Sequence, residues 1–435
     1  MGVRLAAVVT AVLMPLGLMA APLATAPATA APSRCAAYAD VVRETSSGGA
    51  FRGRTPILAA SYNVAGYNSA KALPRWESRS AKVVSMIMRC SPDVIGLQEA
   101  SEAWMQRRPA GSRNYTQYEN VVDLMNEQVP GAPYRVTNTH RKVCPTTGPN
   151  PAVWNGTWQG RKAPWRACRT SPRLSSSDNR TVYDSRTLVV ERQGSRPLAS
   201  ATRTPRTLDW TIFRIRATGQ RFVFANTHLE ARHRGRAVGS KASNAFRRTQ
   251  TRQLLATVRQ LRSFDGATLP VVVVGDMNST GRMRMRTPVD DMTSAGLVDV
   301  LGTDRRAYRS KRERWRGSCR SRGVTSSLVA TSYSRVPLHL KRRIHAYYNS
   351  SNNLGGRAPG TGPNHCMYRP GTKKSRGATA RAHYRHQGIR IDYVLASASV
   401  RARGWETVVD ADLRRARYRS VPPSDHNMVA TTLAF

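Results

Sequence analysis

Residues 271–280, VVVVGDMNST, set four valines directly against an acid, an amide and two hydroxyls. Positions two apart on an extended chain face the same way, so Asp276 and Asn278 project together if the backbone stays extended past Gly275. A carboxylate only accepts hydrogen bonds, whereas an amide both donates and accepts. Side by side they suit a hydrated phosphate: the carboxylate orients water or faces a cation, and the amide donates to a phosphoryl oxygen. Gly-Asp-x-Asn is equally good turn chemistry, so the pair alone does not decide between a turn and a site.

Recurrence favours a site. Asn63, Glu99, the Thr227-His228 pair, Asp392 and the Asp425-His426 pair each stand at or just beyond an apolar run. Strand ends so biased to Asp, Glu, Asn and His predict one centre assembled from distant segments.

The elements that would carry these residues follow from periodicity. Residues 55–68, 91–100, 181–191, 209–217, 221–231, 271–276 and 390–398, and the final MVATTLAF, read as strands from their β-branched and aromatic content. Helical spacing of apolar residues runs over 75–89, with Val83, Val84, Ile87 and Met88 on one face, and over 243–263 through Phe246, Leu254, Leu255, Val258 and Leu261. A short helix is expected near 288–295. Strands with helices between some of them indicate an α/β chain. Residues 138–180, with Cys144, Cys168 and three tryptophans, read as a loop-rich insertion. A second, basic insertion is expected at 301–388, where about twenty Lys and Arg face two acids.

The segments ASYNVAG, DVIGLQEA, TVYDSRTLVV, FANTHLEA, VVVGDMNS, RIDYVLAS and SDHNMVATTL, in this order, resemble the endonuclease/exonuclease/phosphatase family, the superfamily of pancreatic deoxyribonuclease. They span about residue 57 to the C-terminus, with gaps at the two insertions. The resemblance implies a four-layered α-β-β-α sandwich, two mixed sheets packed face to face with helices outside and the site at one end. It implies Glu99 as the principal ligand of Mg²⁺, with Asn63 and Asp425 close to the ion. Oxygen donors without cysteine suit Mg²⁺, Mn²⁺ or Ca²⁺ and argue against a structural zinc site. Asp276 and Asn278 would orient the attacking water and the phosphate. His426 would be general base or phosphate ligand, held in its tautomer by Asp392, and His228 would protonate the leaving oxygen or donate to a non-bridging one. Which histidine is acid and which is base stays open, as does the number of metal ions. Tyr183 matches a phosphate-contacting tyrosine of part of the family, and a core tyrosine fits the loose motif as well. His233, His365, His383 and His386 match nothing and are expected at the surface.

Residues 1–30 have the form of a secretory signal: Arg4 precedes an apolar run from Leu5 to Ala20, and small residues follow at Ala28-Thr29-Ala30. The run is short and broken by Pro15 and Gly17, which disfavours a stable membrane anchor. A single domain is expected over 31–435. Cysteines 35, 90, 144, 168, 319 and 366 are an even set without a CxxC pair, and an extracellular location makes them disulfides. Neighbour pairing would join Cys35 to Cys90, Cys144 to Cys168 and Cys319 to Cys366, though sequence does not fix the connectivity.

The family acts on many phosphate esters, so charge and compartment must select the substrate. A formal net charge of +43 implies a polyanionic partner, and a secreted, monomeric nuclease acting on DNA or RNA is the first expectation. Trp315, Tyr333, Tyr347 and Tyr348 in the basic stretch could stack unpaired bases. A sphingomyelinase-like phospholipase C, entering a membrane through Trp154, Trp158 and Trp165, is the alternative. A polyanion-binding protein using the basic surface is a third. Endo or exo cleavage is not legible.

Overall fold

In the computed structural model, Val272 and Val274 point into one apolar cluster while Val271 and Val273 point into another, so this strand is buried on both faces. The structure describes residues 35, 55–67, 73–101, 104–107, 114–137, 143–145, 165–167, 178–201, 206–233, 235–236, 238–279, 285–301, 342–344, 350–351, 390–412, 417–418 and 420–435.

Two mixed sheets stand back to back. The first contains β1 (Pro56–Asn63), β2 (Val94–Gln98), β3 (Tyr134–Val136) and β4 (Arg180–Asp184). The second begins with β5 (Leu188–Leu198), β6 (Arg206–Ile215), β7 (Arg221–His228), β8 (Val271–Asp276) and β9 (Leu297–Asp299). The chain then adds β10 (Arg342–Ile344) to the first, β11 (Asp392–Ser397) to the second, and β12 (Arg401–Val408) and β13 (Met428–Ala434) to the first. The orders are β10-β12-β13-β1-β2-β4-β3 and β9-β11-β8-β7-β6-β5. β1 and β2 are parallel, as are β7 and β8, so Asn63, Gln98, His228 and Asp276 leave their sheets at one end of the sandwich.

Helices α1 (Trp76–Met88) and α2 (Gln117–Glu127) cover the first sheet, packing Trp76, Val83, Ile87, Tyr118 and Val121 on Leu58, Ala60, Tyr62 and Leu97. Helices α3 (Lys241–Arg262) and α4 (Pro288–Ser294) cover the second through Leu254, Val258, Val289 and Met292. Between the sheets lie Ile57, Ala59, Phe213, Phe222, Phe224, Val274, Trp405 and Leu433. These are the four layers implied by the resemblance. Among the described residues, no helix is long and apolar enough to cross a bilayer.

Some elements differ from the sequence expectation. The strand read over 181–191 is two strands, broken where the Asp184 carboxylate takes the backbone N–H of Arg186 at 2.8 Å and its Nε at 3.1 Å. Helix α2 was not expected, although Thr116 and Glu119 form a reciprocal capping box at its start. The Cys35–Cys90 disulfide is present; Cys168, Cys319 and Cys366 of the other two expected pairings lie outside the described residues. The 301–388 stretch includes β10, which pairs in parallel with β12, and Ser350 and Ser351, which reach the site described next.

Candidate active site

Glu99 follows β2 with a φ of 55°, a left-handed conformation that is uncommon for a residue with a side chain and is often found at functional positions. The turn delivers its carboxylate to the end of β1. There Asn63 Nδ2 donates to Glu99 Oε1 at 3.1 Å and to Asp276 Oδ2 at 3.1 Å, while the Gly66 N–H donates to Glu99 Oε2 at 3.0 Å. Asn63 Oδ1 accepts the Ala65 N–H at 3.0 Å. Asn63 therefore reaches the site as a donor bridging two carboxylates, with its side-chain oxygen on the Ala65 N–H.

Asp276 is the junction. Its Oδ2 also lies 3.5 Å from His228 Nε2 and 3.7 Å from His426 Nε2, so both imidazoles face one carboxylate oxygen. Each ring has its own acid behind it. His426 Nδ1 is 2.9 Å from Asp392 Oδ2, and His228 Nδ1 is 3.7 Å from Asp178 Oδ2. Burial alone would lower the His426 imidazole, but Asp392, then Asp276 and Asp425, hold its pKa up at about 10. Burial would raise Asp178, yet His228 and Arg206 beside it hold it below the usual carboxylate range. Asp178 was not singled out from the sequence. It stands before β4, not at the exit of an apolar run, and only its closeness to His228 in the fold reveals it.

Asn278 corrects the simple projection drawn from residue spacing. The strand stops at Asp276, and Asn278 turns left-handed at φ 45°. Its backbone N–H donates to Asp276 Oδ1 at 2.8 Å and its side-chain Nδ2 to the Leu229 carbonyl at 2.9 Å. Turn and site are thus the same feature: one carboxylate oxygen holds the turn, the other faces the histidines, and the amide fastens the backbone beside His228. Gly275 makes the approach possible, because a Cβ there would stand 1.9 Å from the Thr227 carbonyl oxygen.

Tyr183 does not join this cluster. It pairs with Val94, at the start of β2, whereas Leu97 pairs with Arg180, so Tyr183 lies about 10 Å along the strand from the site end. Its ring packs against Phe213 with centroids 5.2 Å apart, which makes it a core tyrosine. His233 stacks on Phe246 at 4.5 Å; His365, His383 and His386 lie outside the described residues.

Buried cations, also missed in the sequence, hold the loops. Arg79 of α1, 2 % exposed, donates to the carbonyls of Val64, Ala65 and Gly66 after β1 and to that of Pro423 before Asp425. Lys82, one helical turn on, donates to the Val421 carbonyl at 2.6 Å. Arg247 of α3 fastens the carbonyls of Glu230, Ala231 and Val238 past His228. Ser424 Oγ donates to the Asn63 carbonyl at 2.6 Å and accepts the His426 N–H at 3.2 Å.

Glu99, Asp178, Asp276, Asp392 and Asp425 thus gather near His228, His426 and Arg79. This local excess of acid in a chain of net charge +43 is a donor set of hard oxygens, which fits a divalent cation. Among the described residues, one close group of possible ligand atoms is Asp276, Asp392 and His426, within 4.8 Å of one another. The other, Cys35 with Cys90 and Glu406, has its sulfurs joined in the disulfide. Glu99 and Asp425 both lie close enough to Arg79 to favour its charged form against burial.

The fold is shared with known proteins. An endonuclease/exonuclease/phosphatase family protein of Bacteroides thetaiotaomicron has a similar structure, with a TM-score of 0.50 and 15 % identity over 88 % of this chain and 98 % of that one. A mannosyl-6-phosphatase of the same organism gives 0.49 at 16 % identity over 87 % of this chain and 100 % of that one. The human Nocturnin catalytic domain gives 0.43 at 15 % identity over 88 % and 97 %. No curated protein matches in sequence. The profile of the Endonuclease/Exonuclease/phosphatase family matches residues 60–426, a span that begins in β1 and ends on His426. Enzymes of this family hydrolyse phosphoric esters and generally use divalent metal ions. The chain belongs to the endonuclease/exonuclease/phosphatase family and is a phosphoester hydrolase.

Proposed function

We propose that the protein is a secreted, monomeric phosphodiesterase that cleaves DNA or RNA with the help of Mg²⁺, Mn²⁺ or Ca²⁺. The observation that carries this reading is the pair of acid-backed imidazoles facing Asp276 Oδ2 at 3.5 and 3.7 Å. Both spacings exceed a direct hydrogen bond, so each Nε2 can turn to a phosphate oxygen. Asp276 accepts the proton of the attacking water. His426, oriented by Asp392, donates to a non-bridging oxygen, and His228, backed by Asp178, donates to the leaving oxygen. A divalent cation held by Glu99 and Asp425 would neutralise charge developing on the phosphoryl group. Nucleic acid is favoured over other esters by the charge of +43, since each phosphate contact releases a condensed counterion.

The mature protein, offered plasmid DNA, RNA, sphingomyelin vesicles and a phosphomonoester at low salt, tests this directly. DNA or RNA should be cleaved with Mg²⁺, EDTA should abolish cleavage, and His228→Ala should slow it by about 10²- to 10⁴-fold. Intact DNA and RNA across Mg²⁺, Mn²⁺ and Ca²⁺, with lipid or monoester hydrolysed, would overturn the nuclease assignment while keeping the hydrolase.

A further inference from the structure

Backbone N–H groups at the start of a buried strand need acceptors, and those of β11 are met by a side chain from far along the chain. Ser350 is fully buried, and its Oγ accepts the N–H of Ile391 at 3.0 Å and that of Asp392 at 3.1 Å. Its backbone carbonyl accepts the N–H of Asn427 at 2.6 Å, and the next residue, Ser351, forms an antiparallel bridge with His426. Two residues of the basic stretch therefore touch both members of the Asp392–His426 pair. They hold Asp392 by its own amide and His426 by its bridge and its neighbour's amide.

We infer that Ser350 is a positioning residue for the Asp392–His426 pair. Asp392 opens β11 of the second sheet, His426 lies in the loop before β13 of the first, and their side chains meet at 2.9 Å. Arg79, Lys82 and Ser424 fix the His426 loop against α1 and β1, and the Met277 N–H fixes Ile391 through its carbonyl at 2.8 Å. Among the described residues, Ser350 hydrogen-bonds to the backbone on both sides of that contact. A hydroxyl oxygen has two acceptor sites, and both are used on successive amides; an alanine would leave two buried N–H groups without that acceptor. Asp392 would then be free to shift relative to the imidazole it orients, and a misplacement of about 1 Å at such a group can cost about 10²-fold in rate.

The inference rests on the reading of this pair as part of the hydrolytic site, so the test has one arm that needs no substrate. In full-length mature protein with ¹⁵N-labelled histidine, the His426 ring signals are assigned by their loss in His426→Gln. Ser350→Ala should weaken or abolish the low-field Nδ1–H resonance that reports the bond to Asp392, and Ser350→Thr, which keeps the hydroxyl, should retain it. On plasmid DNA, Ser350→Ala should lower kcat by about 10²-fold with KM within about twofold of wild type, and Ser350→Thr should restore most of the loss. If Ser350→Ala does not fold, Ser350→Cys, a weaker acceptor of similar size, is read the same way. An unchanged His426 resonance in the folded variant would overturn the inference. A lower unfolding temperature with kcat unchanged would do so equally, because it would mean a structural role only. If wild type cleaves none of the esters, the nuclease reading fails and the resonance still decides the role of Ser350.

Discussion

A buried acid remote from the site makes the simplest residue-scale prediction. Asp93, at the entrance of β2, accepts the Leu58 N–H at 2.7 Å, and burial raises its pKa to about 6, with Asp184 adding to the shift. A raised acid stabilises the fold below its unfolded value of 3.8, and that contribution is lost as pH rises through about 6. Asp93→Asn keeps an acceptor for Leu58 and removes the ionisation, so it should stabilise the protein above pH 6 by up to about 3 kcal/mol and have little effect below pH 4. Urea titrations at pH 4 and pH 8 check this, and equal shifts at both would refute it. At this scale the sequence disclosed Asn63, Glu99, His228, Asp276, Asp392, Asp425 and His426, because each is a polar residue that interrupts an apolar run. It could not disclose Asp178, Ser350 or Arg79, whose roles depend on closeness across the fold rather than on local pattern. It left Tyr183 open between a phosphate contact and the core, because a motif match does not say which end of an antiparallel strand faces the site.

Elements hold the geometry through contacts between sheets. Gln98 of β2 donates to Asn226 Oδ1 of β7 at 2.7 Å, and Asn226 donates to the carbonyls of Leu97 and Arg180 at 3.0 Å each. This buried amide bridge ties the strand before Glu99 to the strand that ends in His228. Gly96 allows it: a Cβ there would meet Val274 at 2.5 Å and Asn226 at 2.8 Å. Gly96→Ala should therefore push β2 away from β7 and β8, costing about 1–3 kcal/mol of stability. Activity should fall further than the folded fraction does, since Glu99 moves with β2; kcat measured well below the melting range separates the two effects. The strands read from the sequence were those of high β-branched content buried on one or both faces. β12 was missed because Arg401, Arg403 and Glu406 break up its apolar pattern, and α2 because its apolar face is short. The break between β4 and β5 was hidden because Asp184 and Arg186 look like ordinary strand-edge charges until they close on each other.

At the scale of the molecule, a disulfide joins distant parts of the chain. Cys35 bonds Cys90 just past α1, with a sequence separation of 55, and Cys35 Sγ also lies 3.4 Å from Glu406 of β12. Closing a loop of that length is worth about 4 kcal/mol in the chain-entropy picture. The double variant Cys35→Ala/Cys90→Ala should lose about 2–4 kcal/mol in denaturant unfolding with little change in kcat of the folded enzyme, since both sulfurs lie away from the histidines. A loss below about 0.5 kcal/mol would show that the unfolded chain gains nothing from the link. The first sheet is closed by its last strand: β13 lies between β1 and β12, with Ile57 opposite Leu433 and Ser61 opposite Val429. The loop just before β13 carries Asp425 and His426. The strand that completes the central sheet thus also delivers the histidine, so sheet closure and assembly of the histidine pair are one event, and a chain folded without β13 would lack both.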